Sequence, residues 1–262
     1  MTELFGFSTL HFAVLGVLVF LAGVVDSLAG GGGIITLPAY AALGLPLPLV
    51  LGTNKCSSTI GTVVSVLRYF GTLKLSLRAL APMALAALVG SAIGAGAAML
   101  LDPGFIRWAL LLMLPFVMYS VLVKHHFGLS DLSGGFTRKE LGRRSVAVAF
   151  PIGAYDGFFG PGTGTFLALG LSRFCRYDLL QATGYAKALN LASNAAALAA
   201  FLYAGRVHIP LGAAMGVMSV AGHWVGSHLG LRRGTAAIRP AIAFISGLLL
   251  LKTAYDLFGG RF

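Results

Sequence analysis

Apolar positions run along this chain in long stretches, separated by short polar or glycine-rich breaks. The stretches cover residues 10–28, 34–43, 47–70, 80–101, 105–123, 146–159, 165–171, 179–202, 209–231 and 238–258. About 20 apolar residues carry a helix across a bilayer, so the longer runs predict membrane-spanning helices with some tilt. Three runs are too short to span: 34–43, 146–159 and 165–171. They adjoin glycine-rich breaks at 30–33 and 160–164. One sizeable hydrophilic segment, 124–144, divides the chain near its middle. The alternating strands of about ten residues that mark a membrane barrel are absent. The pattern predicts an all-α polytopic membrane protein. It has a first membrane repeat over 1–123, a cytoplasmic loop over 124–144 and a second membrane repeat over 145–262.

The two halves match each other. Asp26-Ser-Leu-Ala-Gly30 is matched by Asp156-Gly-Phe-Phe-Gly160, at an offset of 130. Tyr69-Phe-Gly71 is matched by Tyr203-Ala-Gly205, Gly90-Ser-Ala-Ile-Gly94 by Gly222-His-Trp-Val-Gly226, and Ile106-Arg107 by Ile238-Arg239. Four matches in the same order are hard to obtain by chance and predict a duplication. Each half holds five apolar segments, an odd number, so the repeats are inverted, whether the short segments cross or turn back. With 124–144 in the cytoplasm, 13 Lys and Arg fall on the cytoplasmic side and 4 on the outer side, with Lys55 and Lys187 inside the membrane. Basic residues favour the cytoplasmic side, so both termini are expected outside.

Composition narrows the class. Hydrophobic residues make up 57% of the 262 and charged residues 10%, with mean hydropathy +0.87. Soluble domains carry about 25% charged residues, which excludes a soluble enzyme and a disordered chain. The net charge of +11 does not point to nucleic acid, because the basic residues sit between apolar runs and form no continuous stripe. Met1 to Leu10 lacks the basic start of a cleaved signal peptide. Cys56 and Cys175 have no metal-ligand spacing, and no pattern calls for a metal or a cofactor.

Candidate chemistry begins at the glycine breaks. Gly30-Gly31-Gly32-Gly33 opens one short run and Gly160-Pro-Gly162-Thr163-Gly164 opens another just before Thr165. A half-helix starting inside the membrane presents unpaired N–H groups and a positive dipole end, and such backbone survives at depth only beside protein or a water-filled cavity. One glycine run reads as helix packing. Two, at matching positions beside shortened segments, point to a transporter's midplane anion site, with Thr163 and Thr165 as further donors.

Lys55 and Lys187 lie inside apolar runs, where ionisable groups mark function. Each either contacts the anion or, for Lys55 above all, snorkels to an interface. Asn190 and Asn194 share a helical face with Lys187; they and Asn54 either orient the ligand or bond between helices. Asp26 and Asp156 stand just before the glycine breaks, as coupling sites, as partners that neutralise a lysine, or as caps of the hairpin tips. His223 and His228 read as interhelical hydrogen-bond partners, and His125 and His126 as loop residues. The spacings Gly90/Gly94, Gly212/Gly216 and Gly222/Gly226 read as packing, within the protomer or at the face of a homodimer.

A membrane-embedded enzyme would need a nucleophile with its base or a metal cluster. HExxH and GxSxG are both missing, which leaves a hydrolase built on His223 as a minor alternative. A passive anion channel is the more serious competitor, because interrupted inverted repeats serve both mechanisms.

Gly30-Gly-Gly-Gly-Ile-Ile-Thr-Leu-Pro38, followed by Gly52-Thr-Asn-Lys55, resembles the first repeat of the TauE/SafE family of membrane permeases. Gly153-Ala-Tyr-Asp-Gly-Phe-Phe-Gly-Pro-Gly-Thr-Gly-Thr-Phe166, Ala182-Thr-Gly-Tyr-Ala-Lys-Ala-Leu-Asn190 and Ser193-Asn194 resemble the second. The resemblance runs from about Gly16 to Leu257. It implies transport, mostly export, of small sulfur-containing anions such as sulfite, sulfoacetate and other sulfonates across the bacterial cytoplasmic membrane. A carrier of another small carboxylate or oxyanion stays open. The expected partners are thus a small anionic substrate and the lipid bilayer.

Overall fold

The computed structural model describes residues 3–4, 7–100, 128 and 130–258. The apolar run 105–123, the Ile106-Arg107 match and His125-His126 lie outside the described residues. Among those described, nearly all are helical. A two-residue antiparallel pairing of Glu3–Leu4 with Phe7–Ser8 precedes the first helix. The helices are α1 (Thr9–Ala29), α2 (Gly33–Ala41), α3 (Leu47–Leu73), α4 (Leu77–Leu100), α5 (Arg138–Phe158), α6 (Thr163–Phe174), α7 (Leu179–Tyr203), α8 (Ile209–Arg233) and α9 (Thr235–Phe258). By length and composition α1, α4 and α8 are each apolar enough to cross a membrane.

The local reasons for these boundaries are chemical. Ser8 caps α1 by accepting from the His11 N–H, and Asp178 caps α7 by accepting from Leu180 and Gln181. Proline sits in the first turn of α3 and of α8, where its missing N–H costs nothing. The run at 146–159 is expected to be too short to span, behind a loop ending at 144. The structure carries this helix back into that polar segment. Helix α5 starts at Arg138 and has 21 residues. Its start is a capping box: the Thr137 hydroxyl accepts from the Glu140 N–H at 3.3 Å, and the Glu140 carboxylate accepts from the Thr137 N–H at 2.9 Å. Hydropathy is blind to a polar first turn, so the apolar run begins eight residues after the helix does.

The short helices fold back along their predecessors. A β-carbon on Gly32 would lie 2.9 Å from the Ala22 carbonyl oxygen, and one on Gly170 would meet Val148 at 2.7 Å. Each half therefore contains a helical hairpin, α1–α2 and α5–α6, closed at a glycine break.

The halves interlock. Helix α4 packs on α5, and α8 on α1. The contacts are nearly backbone to backbone. A β-carbon on Gly90 would lie 2.3 Å from the Phe150 carbonyl oxygen, and one on Gly94 2.0 Å from that of Ala154. On Gly222 it would lie 2.2 Å from the Phe20 carbonyl oxygen, and on Gly226 2.3 Å from that of Val24. The two sets correspond at sequence offsets of 130 and 132. Gly212 and Gly216 likewise pack on Cys56 and Ile60. These spacings therefore serve packing within the protomer.

Apolar side chains also cover the outside, with Leu10, Val17, Leu67, Leu85, Ile93, Val217 and Phe244 exposed. Lys55, Lys187, Asn54, Asn190, Asn194 and Asp156 are buried. Polar groups inside and apolar groups outside suit a bilayer, where lipid takes the place of water.

Candidate functional site

The two hairpin tips meet at the centre. Gly30 and Gly162 both take left-handed conformations, with φ of 80°, and let the chain turn between paired helices. The Gly164 N–H donates to the Gly30 carbonyl at 3.1 Å, and a β-carbon on Gly30 would lie 2.2 Å from the Gly164 Cα. Gly33 lies against Pro161, and Gly31 against Ile245 of α9. Threonine hydroxyls close the junction. Thr163 donates to the Gly160 carbonyl at 2.7 Å, and Thr165 donates to the Ala29 carbonyl. The tips thus bond to each other in this arrangement, and both hydroxyls serve backbone carbonyls.

The charges are exchanged between the halves. Lys55 on α3 pairs with Asp156 at the end of α5, at 2.9 Å. Lys187 on α7 pairs with Asp26 at the end of α1, at 3.1 Å, and also donates to the Asp26 carbonyl. Each lysine therefore reaches the aspartate of the opposite half. Lys55 side-chain exposure is 3% and that of Lys187 is 1%, so neither snorkels.

Neutral donors complete the shells. Asn194 accepts from Lys55 at 2.8 Å and donates to Asn190 at 3.3 Å. Asn54 accepts from Thr36 at 2.6 Å, which joins α3 to α2. The Ser193 hydroxyl donates to Asp156 at 2.6 Å. The Gly32 N–H, in the turn that opens α2, donates to Asp26 at 3.1 Å. His223 of α8 places Nε2 3.1 Å from the same Asp26 carboxylate. Each aspartate thus stands within ion-pair distance of a lysine, and Asp26 also accepts from the N–H that opens α2.

All the residues singled out at the glycine breaks, on α3 and on α7 converge on this region. Sequence reasoning placed no direct role on Ser193 or Ser91, whose hydroxyl donates to the Ser193 carbonyl at 2.6 Å. The first is visible as part of the Ser193-Asn194 motif. The second has no local signal. Among the described residues no cluster of His, Cys, Asp and Glu has the geometry of a metal site.

Comparison with known proteins points to membrane transporters. The family model described as "Sulfite exporter TauE/SafE" matches residues 15–253. A "Probable membrane transporter protein ORF9" from Sinorhizobium is 35% identical over 93% of this chain and 92% of its own. "Probable membrane transporter protein YfcA" from Escherichia coli K12 is 33% identical over 98% of this chain and 94% of its own. A "Probable membrane transporter protein" from Haemophilus influenzae is 31% identical, covering 93% and 94%. No solved structure matches. With the family model covering most of its length, the chain belongs to the sulfite exporter TauE/SafE family and is a membrane transporter.

Proposed function

We propose that the protein is a secondary carrier of small anions, sulfur oxyanions or short sulfonates such as sulfite, and exports them across the bacterial cytoplasmic membrane. One observation carries the reading: two buried lysines, each neutralised by an aspartate from the opposite half, flank a junction of two glycine hairpin tips. An anion entering between the tips competes with the aspartates for Lys55 and Lys187. The backbone N–H groups of Gly31, Gly32, Gly33, Gly162 and Gly164 line its path, with Thr163, Thr165, Asn54, Asn190 and Asn194 as neutral contacts. Parting the tips and exchanging partners gives two states, and rocking one repeat against the other alternates access. The residue ranges 1–123 and 145–262 are then the moving units, joined by 124–144, with both termini outside.

The test is flux of labelled sulfite and of methanesulfonate through proteoliposomes. Saturable flux with counterflow is expected. Flux that never saturates would replace the carrier with a channel. If neither anion moves while a carboxylate does, the sulfur-anion assignment fails and the carrier stands.

A further inference from the structure

The two aspartates match in sequence but differ in what surrounds them. Asp156 is held by fixed donors, Lys55 on one oxygen and Ser193 on the other, and its side chain is 2% exposed. Asp26 is 13% exposed. Its Oδ1 accepts from the Gly32 N–H, while its Oδ2 faces both Lys187 Nζ and His223 Nε2 at 3.1 Å. At the offset of 132, the position matching His223 is Ser91. An imidazole therefore stands beside one aspartate only. Gly61 and Gly23 make room for it: a β-carbon on either would lie 2.6 Å or 3.0 Å, respectively, from His223 Nδ1.

The contacts of His223 count its protons. Nδ1 lies 2.9 Å from the Ser219 carbonyl oxygen, which only accepts, and 3.3 Å from the Ser219 hydroxyl; a hydrogen on Nδ1 is the assignment that satisfies the shorter contact. A neutral imidazole has one ring proton, so Nε2 would then present a lone pair to a carboxylate 3.1 Å away. Two acceptors at that separation hold a proton between them. With it in place, Asp26 and His223 are together neutral, and the Lys187 ammonium lacks a compensating charge. An uncompensated buried ammonium is costly, and a bound monoanion removes the cost. When the proton leaves, Asp26 neutralises Lys187. The Thr62 hydroxyl, 3.4 Å from Nε2, then remains to donate to it.

We propose that the proton held between His223 Nε2 and Asp26 Oδ2 is a coupling proton, bound together with the anion and carried in the same direction, which makes the protein an electroneutral proton–anion symporter. This rests on the anion-carrier reading above. One proton from water joins the Nε2–Oδ2 pair, one monoanion joins Lys187, and no covalent bond within the anion changes. The charged groups facing His223 are Asp26 from α1 and Lys187 from α7. Helix α3 contributes the neutral Thr62, and α8 itself contributes Ser219. The Lys55–Asp156 pair carries no net charge of its own. Such a carrier exports a metabolic anion whenever its outward gradient exceeds the inward proton gradient.

The experiment uses the full chain in proteoliposomes loaded with a pH-sensitive dye and supplied with labelled methanesulfonate, a strong-acid anion that carries no proton of its own, and labelled sulfite. The expected result is about one proton moved per methanesulfonate, because the charge cluster stays neutral overall. His223→Gln should lower the ratio of protons to anions about tenfold. A merely structural role would depress both fluxes together and keep the ratio. Anion flux without proton movement in the wild type, or an unchanged ratio in the variant, overturns the proposal and leaves the carrier. Absence of flux for both anions sinks the sulfur-anion assignment and this proposal with it. Nitrogen NMR of labelled histidine in the wild-type protein adds a readout that needs no variant. Methanesulfonate should increase the protonated fraction of His223, and no response to the anion overturns the coupling.

Discussion

Removing Lys55 would leave the Asp156 carboxylate buried with only Ser193 as a donor. An uncompensated buried charge costs about 3–5 kcal/mol, whereas replacing a whole buried pair with apolar groups is often close to neutral. Lys55→Met is therefore expected to lower the unfolding temperature in detergent, and Lys55→Met/Asp156→Leu to restore most of it without restoring transport. A single variant as stable as the wild type would show that Asp156 is neutral without its lysine. Both lysines and both aspartates are legible as candidates from the sequence, because charge inside an apolar run is conspicuous. Their pairing is not legible. Lys187 lies 161 positions from Asp26, and no local pattern says that each lysine serves the opposite half.

Among the elements, the glycine-lined interfaces decide how closely the helices approach. A β-carbon on Gly222 would collide with the Phe20 carbonyl, while one on Gly96 would meet nothing within 4 Å. Overpacking costs about 1–3 kcal/mol and more where backbone blocks relief, so Gly222→Val should destabilise the protein strongly. Gly96→Ala, at an open position in helix α4, should be neutral or stabilise by up to about 1 kcal/mol. Thermal unfolding of the two variants in one detergent is the comparison. Equal losses would mean that α1 and α8 can part enough to admit a side chain between Gly222 and Phe20. Hydropathy locates these helices well, because the runs are long. It misplaces the start of α5, because the Thr137–Glu140 box is polar. Those hydrogen bonds from the Thr137 hydroxyl and N–H hold the Glu140 carboxyl below the ordinary carboxylate range. With the folded value depressed, what this group adds to stability is complete above the ordinary carboxylate value and fades as pH falls through the lowered one.

At the scale of the whole molecule, sidedness is the open property. Background thiols are few and buried, since Cys56 and Cys175 are both inside. Single cysteines placed at the exposed Gly135 and Gly205 should therefore report cleanly. With both termini outside, Gly135→Cys should react only with a reagent on the cytoplasmic side, and Gly205→Cys only with one outside. The reverse pattern would invert the topology and the direction of the positive bias with it.

Chain composition and the spacing of apolar runs were enough to determine an all-helical membrane protein with glycine-broken segments and buried lysines. Those features are local: a helix in lipid must satisfy its own backbone, and a charge among apolar residues is visible wherever it lies. Tertiary structure alone decided which aspartate each lysine meets, that the two tips bond through Gly30 and Gly164, and that His223 stands beside Asp26 and not Asp156. These contacts join residues more than 100 positions apart. They arise from how closely glycine lets two helices approach across the halves, a property of packed surfaces that no stretch of sequence carries by itself.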